Sequence, residues 1–124
     1  MVPGDFRRLR VWNRAMGLVE DVYRLTQRLP AGERFGLVAQ MRRAAVSVPS
    51  NLAEGYGRGH RADYARHVAI ANDSLNELQT QLLIAVRVGY LEAKADDGAM
   101  AMVAEIGKML NALLRALGSY DGHG

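Results

Sequence analysis

From Tyr64 to Ala85 the chain places Tyr64, Val68, Ala71, Leu75, Leu78, Leu82 and Ala85 four and three residues apart in unbroken alternation. Steps that average three and a half residues put all seven side chains on one stripe of an α-helix, whereas a half-buried strand needs apolar residues at every second position. So long a stripe has to be covered by other helices, and its period is that of left-handed bundle packing at crossing angles of about +20°. No strand-like alternation occurs elsewhere in the sequence. The chain is therefore expected to be all-α.

Three further stripes complete a bundle. Val11, Ala15, Leu18, Val22, Leu25 and Leu29 repeat the same steps, with Trp12 and Val19 widening the face, and Pro30-Ala31-Gly32 ends it. Leu37, Met41, Ala44, Val48 and Leu52 form the next stripe. Pro49 falls inside this one, where its missing N–H and a clash with the Ala45 carbonyl cost about 3 kcal/mol in a regular helix. A kink is expected there, or a break with a restart at Asn51-x-x-Glu54, which has the form of a capping box. Gly55-Tyr56-Gly57-Arg58-Gly59 stops the element, and Gly89 closes the long third helix. Asp96 and Asp97 are placed to cap the fourth, whose stripe is Met102, Ile106, Met109, Leu110, Leu113 and Leu117 before Gly118. The predicted helices span about residues 6–29, 34–56, 61–88 and 97–117, with a tail at 118–124, in a single domain of residues 1–124 and an antiparallel up-down-up-down order.

A length of 124 residues with 49% apolar content suffices for one core. The absence of cysteine excludes disulfides, thiolate metal sites and cysteine nucleophiles. No signal-like segment opens the chain, and no apolar run approaches the roughly 18–20 residues that span a bilayer. The expectation is a cytoplasmic protein with no membrane contact. Ile70, Leu83, Ile84 and Val86 lie off the main seam of the third helix, and Leu9 or Trp12 is surplus on the first. Such an apolar excess fits a subunit interface or a wide core stripe.

Charge is distributed unevenly. Residues 1–66 carry twelve bases against six acids, a balance of +6, and residues 67–124 carry four against seven, a balance of −3. All bases except Lys94 and Lys108 are arginine, whose planar fork grips phosphate or carboxylate bidentately. The bias favours oxyanion contacts or ion-pair networks, although a merely solvated surface has the same composition. Two clusters stand out. Arg7, Arg8, Arg10 and Arg14 open the chain, with Arg7, Arg10 and Arg14 on one helical side. Arg42, Arg43, Arg58 and Arg61 flank a stretch of small and polar residues, RRAAVSVPSNLAEGYGRGHR. These eight are the candidate nucleic-acid contacts, made to the backbone without base readout.

Inside that stretch Arg43, Ser47, Ser50, Asn51 and Glu54 share a side of the helix. Ser47, Asn51 and Glu54, reaching across to Ser74 and Glu77, are expected to form a polar network that fixes the bundle register, with Arg42, Arg43 and Arg58 turned outward. The glycines at 55–59 follow a helix and lack a Lys-Ser/Thr ending, which argues for a turn over a phosphate loop. Arg61-x5-His67 resembles the Arg-x4–6-His motif of helical-bundle ribonucleases, with arginine holding phosphate and histidine as general acid or base, although Ala62 replaces the usual polar residue. Asp63 and His67 also make an i, i+4 pair, read as a surface ion pair because no third metal ligand is near. No catalytic residue, metal or cofactor is assigned.

The order of motifs also resembles a family. Phe6-x-x-Leu9-x-Val11-Trp12-x-x-Ala15, Phe35-Gly36-Leu37-x-x-Gln40-x-Arg42-Arg43-Ala44-Ala45-x-Ser47-Val48, Asn51-Leu52-Ala53-Glu54-Gly55, and Ile70-Ala71-x-x-Ser74-x-x-Glu77-Leu78 with Ile84-Ala85 and Gly89-Tyr90-Leu91 are similar to the four helix bundle protein family. That family includes proteins encoded by intervening sequences in bacterial 23S ribosomal RNA genes, and it is related to the accessory variability protein of diversity-generating retroelements. The resemblance runs from Phe6 to about Leu117. It implies an antiparallel four-helix bundle assembled as a homopentamer, non-enzymatic, binding nucleic acid or a nucleoprotein partner such as a reverse transcriptase. The alternative is a scaffold that binds protein only. The chain departs from the family pattern at His60, where a helix-capping Ser or Thr is usual, and at Asn72-Asp73, where a small-basic pair is usual.

Overall fold

The computed structural model describes residues 5–118, without the side chains of residues 95–97. Four helices, α1 (Arg10–Thr26), α2 (Leu37–Gly57), α3 (Arg61–Arg87) and α4 (Asp97–Gly118), carry the fold, with short 3-10 turns at Phe6–Arg8, Ala31–Glu33 and Ala93–Asp96. The described residues include no strand. α1 packs on α2 and α4, and α3 packs on the same two helices, so each stripe is covered from two sides. Leu18, Met41, Leu52, Leu75, Leu78, Leu82, Ile106 and Leu110 are fully enclosed where the stripes meet. Truncating one such leucine to alanine costs about 2–5 kcal/mol.

The starts of α1 and α2 are tied to the turns that precede them. Leu9 is extended (φ −71°, ψ 126°), so the chain from Phe6 does not enter α1 directly. Asn13 Nδ2 donates to the carbonyls of Arg7 (2.8 Å) and Leu9 (2.9 Å), and the Phe6 ring meets Trp12 edge-on at 5.2 Å. α2 begins at Leu37, whose N–H donates to Glu33 Oε1 at 3.0 Å, while the Tyr90 hydroxyl donates to Glu33 Oε2 at 2.8 Å. One carboxylate thus ties the start of α2 to the turn after α3. Gly89 (φ +86°) makes that turn in a conformation suited to glycine.

Of the kink or break expected at Pro49, the break with a restart does not occur. α2 continues from Leu37 to Gly57 with Pro49 buried inside it. Val48, Leu52 and Gly55 are buried on the same helix, and their packing outweighs one lost backbone hydrogen bond. Asn51 therefore caps nothing; its amide lies mid-helix and donates to the Ser47 carbonyl at 2.9 Å. The caps expected of the Asp96 and Asp97 side chains, and the tail beyond Gly118, lie outside the described residues. Of the off-seam apolar residues, Leu83 (49%) and Ile84 (43%) are exposed, joined by Val88, Met16 and Phe35, while Ile70, Val86, Leu9 and Trp12 are half-buried.

Candidate nucleic-acid interface

Arg7 and Arg8 lie in the 3-10 turn ahead of α1, and Arg10 and Arg14 on its first turns. The extended Leu9 separates the two pairs, so the single helical side expected for Arg7, Arg10 and Arg14 is not formed. Arg7 and Arg8 both reach Asp5, at 3.4 and 3.7 Å, and Arg10 and Arg14 both reach Glu105 on α4, at 3.9 and 3.1 Å. All four guanidinium groups remain exposed, and four cations share two carboxylates. Exposed pairs of this kind are weak and screened by salt, which leaves them open to exchange for phosphate.

The second cluster is less uniform. Arg42 was expected to face outward, yet it lies half-buried against α1: its Nε donates to Thr26 Oγ1 at 2.9 Å and its guanidinium sits 4.4 Å from the centre of the Tyr23 ring. The cation is held by a hydroxyl and an aromatic face of a neighbouring helix, a fixed structural contact. Arg43 is exposed and pairs with no acid among the described residues. Arg58 donates to Glu54 Oε2 at 2.8 Å. That hydrogen bond, and next the nearby His67, hold the Glu54 carboxyl below the usual carboxylate range. Arg61 is exposed at the first turn of α3.

The polar network joins α2 to α3, with Glu54 and Glu77 outside it and His67 gained. Ser47 Oγ and Ser74 Oγ are 2.8 Å apart, and Asn51 Nδ2 also donates to Ser47 Oγ at 3.0 Å. Asn51 Oδ1 then faces His67 Nδ1 at 3.0 Å. Because the amide nitrogen is already donating, the oxygen accepts and Nδ1 carries the proton. His67 Nε2 has no hydrogen-bond partner among the described residues, with Glu54 Oε2 4.0 Å away. Glu77, expected in this network, is exposed and among the described residues meets only Gln81 Nε2, at 3.4 Å. The surface ion pair expected between Asp63 and His67 is also absent: the imidazole is 5% exposed and turned toward Asn51.

Residues 7–112 match the family described as 23S rRNA-intervening sequence protein. The chain belongs to that family. The fold is also that of a solved protein of unknown function from the S23 ribosomal protein family of Bacteroides thetaiotaomicron VPI-5482, with a TM-score of 0.78 at 22% identity, covering 85% of this chain and 98% of the other. No curated protein matches the chain.

In this family member, sequence reasoning missed His67 as the network's α3 partner and Glu33 with Tyr90 as the clamp between α2 and α3. The i, i+4 spacing of Asp63 and His67 drew attention to a local pair, while the actual partner comes from another helix. Among the described residues no three His, Asp or Glu side chains gather as metal ligands, and no helix is long and apolar enough to cross a membrane.

Proposed function

We propose that this protein is a non-enzymatic helical bundle that binds nucleic acid through its sugar–phosphate backbone, with exposed arginines as the contacts. The observation that carries the reading is the excess of cation at the amino-terminal end, where among the described residues Arg7, Arg8, Arg10 and Arg14 share only Asp5 and Glu105. Arg43 and Arg61 add exposed positive charge. Binding of this type is insensitive to base sequence and falls steeply with salt. The resemblance supplies the finer architecture: helices running up-down-up-down, antiparallel, and five copies in a ring. A ring would repeat each arginine patch and add weak contacts by avidity. The same resemblance names a reverse transcriptase as the kind of nucleoprotein partner to test.

Gel shifts with unrelated RNA and DNA sequences at low and raised salt test the reading. Retarded bands for every sequence at low salt, lost at raised salt, are expected; no shift at low salt removes it. A scaffold that binds protein only draws on Leu83, Ile84, Val88 and Phe35, which are exposed. With arginines also serving intersubunit pairs in the scaffold reading, charge reversal at Arg43 separates the two, abolishing assembly there and weakening nucleic-acid binding in the first. The ribonuclease reading through Arg61 and His67 gains no support from the geometry, because the His67 ring is enclosed and its Nδ1 is engaged by Asn51.

A further inference from the structure

The turn between α2 and α3 holds a cavity of about 260 Å³ lined by Gly55, Tyr56, Gly59, His60, Arg61 and Tyr64. The Tyr56 and Tyr64 rings are 5.5 Å apart and inclined at 72°, so they stand as two nearly perpendicular walls of a corner. Two lining glycines shape that corner: Gly55 lets α2 and α3 approach closely beneath it, and Gly59 turns the backbone at φ +78°. The edge is charged: Arg58, Arg61 and Arg66 are exposed around the turn, against Glu54 and Asp63, and His60 is exposed at the cavity itself. Tyr56 and Tyr64 lie past the stripe of fully enclosed side chains, and Tyr64 is only half-buried.

We propose that this corner is a base-stacking seat for single-stranded nucleic acid, with one unpaired base against Tyr56 and Tyr64 and the adjoining phosphates on the basic rim. The proposal rests on the nucleic-acid reading above and names the class of strand. A flat aromatic wall offers a nucleobase its π-face whatever the base, which fits sequence-independent binding. Bases stacked within a duplex cannot enter such a corner, whereas an unpaired base in a loop or free strand can. A ring of arginines alone has no such preference, since both strand types present phosphate. Burial, and next the neighbouring Tyr56, push the Tyr64 phenol up.

Fluorescence anisotropy with the full chain tests the seat, using a labelled short oligothymidylate and a duplex of equal length. Wild type is expected to bind the single strand more tightly than the duplex. Tyr56→Ala is expected to weaken single-strand binding about 5- to 150-fold, with duplex binding unchanged, and Tyr56→Trp to retain it. Equal affinity of wild type for both strands, with single-strand binding unchanged in Tyr56→Ala, overturns the seat and leaves the arginine surface standing. If neither strand binds wild type at low salt, the seat and the nucleic-acid reading both fall. Circular dichroism checks that Tyr56→Ala folds; if it does not, the strand preference of wild type and the Tyr56→Trp variant decide.

Discussion

A methyl group at Gly55 would stand 2.5 Å from His67 Cβ and 3.3 Å from Tyr64 Cδ1, inside contact distance of the facing helix. Glycine is required there by space and not by backbone angle. Gly55→Ala is expected to cost about 1–3 kcal/mol by overpacking, read as a lower thermal midpoint, whereas Gly57→Ala, which meets open space, should be tolerated. One turn earlier, Asn51 serves both Ser47 and His67. Asn51→Ala leaves His67 Nδ1 without its acceptor, and a loss of about 1–3 kcal/mol in denaturant unfolding is expected. At this scale the sequence is only partly legible. Ser47 and Asn51 could be grouped because helical spacing lines up residues of one face, with Ser74 as a polar residue across from them on the third helix. Arg42 could not be placed, because its hold on Tyr23 and Thr26 depends on how α1 is rotated against α2.

Among the elements, the stripes of the first three helices were readable, the fourth only in part because Ala99 and Val103 are buried where Met102 and Met109 were expected. The bounds of α3 and α4 were legible to within a residue, whereas both ends of α1 and the start of α2 were not. A period of three and a half residues is an intrinsic property of a segment, while the start of α2 rests on Glu33, which Tyr90 holds from beyond α3. Pro49 shows the same limit from the other direction: a local penalty was visible, and the burial that offsets it was not. The Glu33 clamp has a pH consequence. The Leu37 N–H, then the Tyr90 hydroxyl, hold the folded Glu33 carboxyl below its ordinary value. Its contribution is complete above the unfolded carboxylate pKa of about 4.3 and is lost as pH falls through the depressed folded value. Thermal midpoints of Glu33→Gln are therefore expected below wild type at neutral pH, with the gap closing under acid conditions. A gap that is constant from neutral to acid pH would show that the carboxylate charge plays no part.

For the whole molecule, the uneven charge was legible as a count, and its meaning depends on which acids sit nearby. Glu105 is brought to Arg10 and Arg14 by the packing of α4 on α1, which no local pattern records. The pairing is exposed and shared, so it trims the positive field without cancelling it. Light scattering is expected to give a particle of five copies of the 13.6 kDa chain, as the family resemblance implies; a single-chain particle at working concentrations would remove avidity from the proposal. Binding through arginine is tested by the salt dependence of affinity for a single-stranded RNA, measured for wild type and for a variant with Arg7, Arg8, Arg10 and Arg14 changed to glutamine. The expected result is a linear fall of log affinity with log salt, with a slope shallower in the variant by about 0.7 for each phosphate contact removed. A slope that the four replacements leave unchanged would contradict it.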